Sequence, residues 1–133
     1  MSLKNNDWKK ANERFLIDNL DQEGVVELPS GVQYKVINKG FGVTPSKRSL
    51  VTVHYRGSLI NDKVFDDSYS RKCPEVFRVN EVIDGWQEAL QLMTVGSKWM
   101  LYIPYHQAYG TRRMDDIPGY STLVFQVELM SIS

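Results

Sequence analysis

The stretch DGWQEALQLMTVG, residues 84–96, decides the fold class because it is the only helical pattern inside a long run of strand patterns. Its apolar residues recur at the i, i+3, i+4 and i+7 spacing of an amphipathic helix. They are Trp86, Ala89, Leu90 and Met93. Asp84 is suited to cap the start of this helix, and Gly96 to follow its end. One short helix must therefore cover one face of the sheet that the surrounding strands form.

Five strand patterns surround this helix, and apolar and polar residues alternate in most of them, as expected for strands with one buried face. The five segments are residues 31–38, 50–55, 76–79, 97–104 and 122–132. In the first segment, Val32, Tyr34 and Val36 are expected on the opposite face from Gln33. The pattern predicts an α+β fold, in which an antiparallel sheet of about five strands wraps around one short amphipathic helix.

A second, N-terminal helix is predicted over residues 7–20. Its apolar face would consist of Trp8, Ala11, Phe15 and Leu16, which fall at helical spacing. Asp7 is suited to cap its start, and Gly24 lies just past its end. The chain would then divide into an N-terminal helical segment and linker, residues 1–29, and a sheet domain, residues 30–133. This helix is expected to pack on its own domain or on a second copy of the chain.

Length and charge exclude several classes of protein. At 133 residues the chain has room for one continuous core, and its 16 basic residues balance 16 acidic ones. Zero net charge without a long basic run argues against nucleic acid as a partner. No apolar stretch approaches the roughly 20 residues that cross a bilayer, so no membrane insertion is expected.

The sequence leaves two compartments open. The segment after Met1 is polar and does not have the pattern of a signal peptide. Met1-Ser2-Leu3 is nevertheless compatible with a trimmed precursor, which leaves an exported parent chain open. Cys73 is the only cysteine, so no internal disulfide forms. We therefore expect a soluble protein of either the cytoplasm or the periplasm and cell envelope.

The residues required by most hydrolytic and metal-dependent mechanisms are missing. Neither His54 nor His106 has a metal-ligand partner at helical or hairpin spacing, and Cys73 has no base nearby in the sequence. No nucleophile elbow, glycine-rich phosphate loop or paired-cysteine zinc motif occurs. Asp66 and Asp67 are adjacent in an extended segment, so only one of them can face a common site. No metal and no cofactor is expected.

Four short motifs instead combine aromatic and branched apolar side chains with one carboxylate and one phenol. They are Val64-Phe65-Asp66-Asp67-Ser68, Val82-Ile83-Asp84-Gly85-Trp86, Ala108-Tyr109-Gly110 and Ile117-Pro118. Such a set suits a small, dry, concave site for a compact apolar group such as a prolyl ring. The last two motifs lie in the long connection 104–121, and loops of that length are usually functional.

The motifs resemble those of the FKBP-type peptidyl-prolyl cis-trans isomerases. The matching segments are Val51-Thr-Val-His-Tyr-Arg-Gly57, Phe65-Asp66, Val82-Ile-Asp-Gly-Trp86, Ala108-Tyr-Gly110 and Leu123-Val-Phe-Gln-Val-Glu-Leu129. The resemblance as a whole covers roughly residues 30–132. The preceding residues 24–34 resemble the bacterial branch related to the macrophage infectivity potentiator. In that branch a helical N-terminal segment often mediates dimerisation, so the resemblance implies a homodimer through the N-terminal helix.

The resemblance also implies a pocket between helix and sheet, with a role for each residue. Trp86 would form the floor beneath the proline ring. The aromatic walls would be Tyr55, Phe65 and Phe125. The Ile83 backbone N–H and the Tyr109 hydroxyl would donate hydrogen bonds to substrate carbonyl groups. Asp66 would form an ion pair with Arg71. The catalytic residues would be Phe65, Asp66, Ile83, Trp86 and Tyr109. The remaining substrate-binding residues would be Val82, Ala108, Ile117 and Arg71.

The activity implied by the resemblance is rotation about X-Pro peptide bonds in unfolded or partly folded chains, which assists protein folding. The partners would be proline-containing polypeptides, with macrolides such as rapamycin as inhibitors. The alternative is a non-catalytic module that holds a proline-containing partner in the same pocket. A holdase-like chaperone is a third and weaker interpretation. Asp66, Trp86 and Tyr109 are all present, which favours catalysis.

Three departures from the common family pattern predict an altered substrate preference and macrolide affinity. Glu75 stands where an aromatic wall residue is common, which would make one side of the pocket more open and more acidic. The segment 111–116 is shorter than its usual counterpart and lacks a histidine. Gly119 replaces a second proline after Ile117, which is expected to loosen that turn.

Overall fold

The computed structural model of the protein describes residues 2–133, with side chains from residue 6 onward. Met1, which entered the prediction of a trimmed precursor, lies outside the described residues. Helix α1 spans Ser2–Asn19 and so begins earlier than predicted. Asp7 lies inside this helix, and the prediction that it caps the helix start is wrong.

Seven strands follow α1 within the described residues. They are β1 (Val25–Glu27), β2 (Gln33–Asn38), β3 (Leu50–Ser58), β4 (Val64–Asp67), β5 (Glu75–Arg78), β6 (Lys98–Ile103) and β7 (Leu123–Ile132). Helix α2 (Ser68–Arg71) follows β4, and helix α3 (Asp84–Leu90) lies between β5 and β6. Short 3-10 turns cover Val79–Glu81 and Tyr105–Gln107.

The strands form one antiparallel sheet in the order β1-β2-β6-β7-β3-β4, and β5 also pairs with β3. Strand β3 has two partners along the same edge, because residues 50–53 pair with β5 and residues 56–58 pair with β4. The predicted α+β class is confirmed, and the five predicted strands are present as β2, β3, β5, β6 and β7. The sequence patterns missed β1 and β4, which are only three and four residues long.

Helix α3 buries its apolar residues in the core that it forms with the sheet. It begins at Asp84 after the N-cap residue Ile83 and ends at Leu90. The predictions that Asp84 caps the start and that Gly96 follows the end are therefore wrong. After Leu90 the chain leaves the helix in a tighter turn, in which Leu92 N–H donates to Ala89 O at 2.9 Å, an i→i+3 bond. Met93 is fully buried nonetheless.

Helix α1 packs on the opposite face of the sheet, partly through residues that the apolar pattern misplaced. Gln33 is fully buried beneath this helix. The Gln33 side chain accepts a hydrogen bond from Asn19 at 2.8 Å and donates one to Leu16 O at 2.9 Å. Asn12 is also buried, whereas Ala11, which was predicted on the packed face, is exposed. The contact therefore depends on hydrogen-bonded amides as well as on apolar side chains.

Candidate active site

A cavity of about 330 Å³ opens between α3 and the end of the sheet that carries β3, β4 and β5. Its lining is mostly aromatic and branched apolar. The lining residues are Tyr55, Phe65, Asp66, Phe77, Glu81, Val82, Ile83, Trp86, Tyr109 and Phe125. All five residues predicted to be catalytic are among them. Of the residues predicted to bind substrate, Tyr55, Val82 and Phe125 are also present.

Trp86, on the first turn of α3, and Phe125 are the most enclosed aromatic side chains of the cavity, each with 4% of its surface exposed. Three rings meet Trp86 edge-on: the centroids of Tyr55, Phe125 and Phe77 lie 5.1, 5.2 and 5.7 Å from that of Trp86. Edge-to-face contacts at these distances are favourable. The indole N–H is buried without a hydrogen-bond partner among the described residues. The indole therefore presents a rigid apolar surface.

Gly57 on β3 allows two of the aromatic rings to form one wall. The ring centroids of Phe65 and Phe125 lie 5.6 Å apart with an interplanar angle of 89°. A Cβ atom at position 57 would lie 2.6 Å from the Phe125 ring and 2.7 Å from the Phe65 ring, which is too close. The absence of a side chain at position 57 is therefore a condition for this wall, a role that the sequence analysis did not assign.

A polar network anchors Asp66, which lines the cavity together with a second carboxylate, that of Glu81. The Tyr55 hydroxyl donates a hydrogen bond to Asp66 Oδ2, and Arg71 Nη1 donates to Asp66 Oδ1 at 2.5 Å. Arg71 Nη2 also donates to Glu75 Oε2 at 3.2 Å. The Asp66–Arg71 ion pair that the resemblance implied is present. Both oxygens of Asp66 have donors, so the carboxylate is fixed in orientation.

The neighbouring carboxylate, Asp67, explains why Arg71 returns to the cavity. Asp67 caps α2 by accepting hydrogen bonds from the backbone N–H groups of Tyr69 and Ser70 at 3.0 and 3.3 Å. The single turn of α2 then brings Arg71 back beside Asp66. The two adjacent aspartates thus serve different purposes, as the extended segment predicted.

The network determines the charge of the site at neutral pH. Burial would by itself raise the pKa of Asp66, but the hydrogen bonds from Tyr55 and Arg71 outweigh burial and lower that pKa below its usual value. Burial, reinforced by the hydrogen bond to Asp66, raises the pKa of Tyr55 to about 12. The hydrogen bond to Asp66 raises the pKa of Arg71 further. At neutral pH, Asp66 is therefore a carboxylate, Arg71 a guanidinium and Tyr55 a neutral phenol.

Tyr109 reaches the cavity from the segment 104–122, here called the pocket loop. The loop turns at Gly110, which has a φ of +78° and whose N–H donates to Tyr105 O at 2.9 Å. Burial, and then the charges of Asp66 and Asp115, raise the pKa of Tyr109. The Tyr109 hydroxyl is thus a neutral donor at physiological pH, at the mouth of an apolar cavity.

A second, smaller cavity of about 180 Å³ adjoins the first and shares Phe65, Asp66 and Tyr109 with it. Ile117 lines this second cavity rather than the first. Ala108 lines neither cavity and packs against the core instead. Arg71 also lies outside both cavities and acts on the site through Asp66 and Tyr55. The predicted contacts of Ala108 and Arg71 with substrate are therefore not supported by the position of these side chains.

The expected effect of Glu75 on the pocket needs correction. Glu75 lines neither cavity, because its carboxylate is bound by Arg71 on the outer side of the site. Phe77, two residues further along β5, closes the wall that was expected to be open. Sequence reasoning missed Phe77 although residues 75 and 77 of one strand share a face. Glu81, also missed, is the additional acidic residue of the lining.

The expected effect of Gly119 is also not borne out. A Cβ atom at position 119 would collide with the carbonyl oxygen of Thr111, so the chain is tightly packed here rather than loose. The positive φ of this turn occurs at Tyr120, at +64°. The glycine is required by the close approach of two backbone segments of the pocket loop.

The remaining polar candidates take structural positions. His54 stacks on Tyr69 with ring centroids 4.5 Å apart and bonds to Ser68 Oγ at 2.7 Å. His106 Nε2 bonds to the carbonyl oxygen of Ser30 at 2.9 Å. Within residues 2–133, no group of three or more His, Cys, Asp or Glu side chains is arranged to hold a metal ion. None of the helices described is long and apolar enough to cross a membrane.

Comparison with protein families agrees with this fold and cavity. The family model of FKBP-type peptidyl-prolyl cis-trans isomerases matches residues 42–130. The model of the domain amino-terminal to FKBP-type peptidyl-prolyl isomerases matches residues 2–36. The chain belongs to the FKBP-type peptidyl-prolyl cis-trans isomerase family.

Individual relatives support the same assignment. The FKBP-type 22 kDa peptidyl-prolyl cis-trans isomerase of Escherichia coli is 52% identical over 120 residues, which are 90% of this chain and 58% of the relative. The outer membrane protein MIP of Legionella longbeachae is 44% identical over 125 residues, 93% of this chain and 54% of the relative. The crystal structure of FkpA from Escherichia coli superposes with a TM-score of 0.95 at 37% identity, covering 100% of this chain and 62% of that one. The chain thus spans little more than half the length of the curated relatives it matches.

Proposed function

We propose that this protein catalyses cis-trans isomerisation of X-Pro peptide bonds in unfolded or partly folded polypeptides. The observation that carries the proposal is the cavity built on Trp86, whose lining combines aromatic rings with one anchored carboxylate and one neutral phenol. Apolar walls of this kind suit the prolyl ring, and the few polar groups suit the flanking peptide groups.

Such a cavity can accelerate rotation without a nucleophile, a metal ion or a proton transfer. The barrier to rotation is about 18–20 kcal/mol because the C–N bond has partial double-bond character. At the twisted transition state this resonance is lost and the amide dipole shrinks. Water stabilises the more polar planar ground state better than the twisted state. A dry cavity therefore lowers the free-energy difference between the two states, which is the barrier to rotation. Each 1.36 kcal/mol removed from the barrier gives a tenfold acceleration.

The cavity residues would share this task as follows. Trp86 would lie beneath the prolyl ring, between the aromatic walls. Those walls would be Tyr55, Phe65 and Phe125. The Ile83 N–H and the Tyr109 hydroxyl would donate to carbonyl groups of the substrate, and Asp66, fixed by Arg71, would favour the twisted amide electrostatically. The catalysed step moves no proton and breaks no covalent bond, so an uncharged Tyr109 is sufficient.

An isomerisation assay on a short X-Pro peptide, followed by NMR exchange or by a coupled protease, tests the proposal. Trp86→Leu should reduce kcat/KM by at least about tenfold, because the floor of the cavity is lost. The matched control is Trp99→Leu. Trp99 is similarly buried, with 7% of its surface exposed, but it stacks on Tyr34 outside the cavity. Equal activity losses in the two variants would show that the cavity has no special role.

The alternative is that the cavity only binds proline-containing segments. Folded wild-type protein would then bind such peptides, with line broadening or shifts at Trp86 and Tyr109, but would not accelerate exchange for any residue before proline. The presence of Asp66, Trp86 and Tyr109 together in one cavity favours catalysis over this alternative.

Macrolides of the rapamycin type are proposed to compete with peptide for the same cavity. Glu75 is not expected to alter their affinity, because Glu75 lies outside the cavity and Phe77 supplies an aromatic wall. Rapamycin should therefore inhibit turnover, and raising the peptide concentration should relieve the inhibition. Inhibition that is independent of peptide concentration would place the macrolide elsewhere.

A homodimer through α1 is proposed as well. One side of α1 contacts its own sheet through Asn12 and Asn19, while Ile17 is 59% exposed. Ile17→Lys should convert the dimer to a monomer in light-scattering measurements, whereas Ala11→Lys, at an exposed position on a different face of the same helix, should not. A wild-type protein that is monomeric at every concentration would contradict this proposal.

The compartment and the domain division remain predictions. One relative carries the name outer membrane protein MIP, which favours the cell envelope over the cytoplasm. Fractionation of the source cells, with an antibody against this domain, distinguishes the two. The predicted division into residues 1–29 and 30–133 can be tested by asking whether residues 30–133 fold when expressed alone.

A further inference from the structure

Helix α1 is bonded to the pocket loop at a point remote in sequence. Trp8 Nε1 donates to Ser121 Oγ at 3.0 Å, and Ser121 Oγ in turn donates to Pro118 O at 2.6 Å. Resting on the proposed function, we propose that Trp8 is a positioning residue for the pocket loop, through which α1 sets the affinity of the cavity for X-Pro substrates. The set Trp8, Asn12, Ser121 and Thr122 is called the helix latch below.

The second half of the helix latch is an amide that uses both of its polar atoms. Asn12 Oδ1 accepts a hydrogen bond from Thr122 N–H at 2.7 Å, and Asn12 Nδ2 donates to Trp8 O at 2.7 Å. Asn12 and Thr122 are each 1% exposed. A buried backbone N–H that loses its acceptor is costly, so this contact fixes the end of the loop firmly to α1.

The helix latch reaches the cavities through short backbone connections. Pro118, whose carbonyl accepts from Ser121, directly follows Ile117, which is 6% exposed and lines the smaller cavity. Tyr120 N–H donates to Gly110 O at 3.0 Å, next to Tyr109. Tyr109 and Ile117, two of the loop residues that line the cavities, are thus each one residue away from a backbone group bonded to the latched segment.

The end of the loop has a further contact with α1. Lys9 Nζ lies 5.1 Å from the centroid of the Tyr120 ring, and that ring meets Tyr105 at the start of the loop with centroids 5.0 Å apart. Cation–π contact at this distance is favourable. Helix α1 therefore contacts the last three residues before β7, while Tyr105 and Tyr120 join the two ends of the loop.

Loss of the helix latch should weaken substrate binding more than it slows rotation about the X-Pro bond. A loop released from α1 would sample more conformations, and substrate binding would have to order it. That cost raises KM, whereas kcat changes little once the substrate has ordered the loop. By reciprocity, a peptide bound in the cavity must also stabilise the latched state of α1.

The chain offers a matched control in a second attachment of the same helix. Asn19 Nδ2 donates to Gln33 Oε1 on β2 at 2.8 Å, in a buried contact that involves no pocket-loop residue. Asn19→Ala therefore loosens α1 without touching the helix latch. If KM depends only on general packing of α1, it should change in Asn19→Ala as well as in the latch variants. If KM depends on positioning of the pocket loop, it should change only in the latch variants.

The experiment compares Trp8→Phe, which keeps an aromatic ring and loses the N–H, with Ser121→Ala, the double variant and Asn19→Ala. KM for an X-Pro peptide should rise about threefold to tenfold in each latch single variant, the range expected for one neutral hydrogen bond, with kcat nearly unchanged. The double variant should be no worse than Ser121→Ala alone, because both single changes remove the same contact. Asn19→Ala should leave KM unchanged.

An unchanged KM in both latch variants, or an equal rise in Asn19→Ala, would overturn the proposal. Amide hydrogen exchange of residues 110–120 separates this proposal from the isomerase function. If wild-type protein is inactive, the proposed function fails, and faster loop exchange in Trp8→Phe than in Asn19→Ala would still support positioning of the loop by α1. Loop exchange that is unchanged in Trp8→Phe would contradict it independently of any activity.

Discussion

The Tyr55 hydroxyl donates to Asp66 within an otherwise apolar cavity, and this bond joins strand β3 to strand β4 at the position where substrate is proposed to bind. Asp66 lies among aromatic rings that reduce its hydration, so these donors stabilise its negative charge although the side chain is partly exposed. Tyr55 supplies one donor from inside the cavity and Arg71 the other from its outer edge. The carboxylate is thereby held in place as a negative charge beside the proposed position of the amide.

Replacement of Asp66 by Ala is expected to lower kcat/KM by about tenfold, because the electrostatic contribution to the twisted amide is lost. The fold should persist, since the Asp66–Arg71 pair is partly exposed and such pairs contribute little to stability. Peptide isomerisation and thermal melting measure the two effects separately. Asp66→Asn, which keeps an acceptor for Tyr55 but no charge, should lie closer to the Ala variant than to wild type. Wild-type turnover in both variants would remove Asp66 from the mechanism.

Replacement of Tyr109 by Phe removes the proposed hydroxyl donor and keeps the ring, so the shape of the cavity is unchanged. We expect kcat/KM to fall about threefold to tenfold, the range of one hydrogen bond to a neutral acceptor. Tyr105→Phe is the matched control, because Tyr105 lies in the same loop but lines neither cavity. Steady-state assays give kcat/KM for both variants. An equal decrease of kcat/KM in Tyr109→Phe and Tyr105→Phe would mean that only the packing of the loop had been disturbed.

The pH dependence follows from three groups with shifted pKa values. The pKa of Asp66 is lowered in the folded protein, so its contribution to stability is present above the unfolded pKa of about 4 and is lost as the pH falls through the folded pKa. The pKa of Tyr55 is raised from 10.0 to about 12, so its contribution is present below pH 10 and is lost as the pH rises toward 12. Tyr109 is shifted in the same direction as Tyr55.

Activity is therefore expected to be constant between about pH 5.5 and 9, where none of these three groups titrates. The measurement is kcat/KM from pH 4 to 10 on an uncharged X-Pro peptide, with urea unfolding at the same pH values to follow stability. A transition near pH 6.5 would contradict this expectation and would implicate a histidine. His54 and His106 both lie outside the cavity lining, so His54→Gln and His106→Gln would identify its source.

The fold was predictable for strands that have one face buried against α3 and the other face turned away from the core. Leu123, Phe125, Val127 and Leu129 alternate because every second residue of β7 faces α3, and all four are buried. Strand β2 does not follow this alternation. Near its start both faces are covered, one by the core and one by α1, and near its end Val36 is 42% exposed. Apolar alternation cannot indicate a face that is covered through amides such as Gln33.

The site was predictable where a motif is local and less so where distant segments meet. Phe77 could have been found, since it lies two residues after Glu75 and strand geometry places both side chains on one face. No sequence signal connects Trp8 with Ser121, which are 113 residues apart. The role of Gly57 was equally hidden, because it depends on the separation of two rings from different strands.

Replacement of Gly57 by Ala provides a direct test of the aromatic wall. The added Cβ atom would lie within 3 Å of both the Phe65 and Phe125 rings, so one ring must move, at a cost of about 1–3 kcal/mol in unfolding free energy. Turnover should fall with stability, because the displaced ring narrows the cavity. Phe65→Leu in the same chain should make room and recover part of the stability, so the two changes should be less than additive. Gly24→Ala is the control: it lies at a positive φ outside the cavity and should lower the free energy of unfolding without reducing kcat/KM. Strictly additive effects of Gly57→Ala and Phe65→Leu on the free energy of unfolding would show that the collision does not determine the position of the two rings.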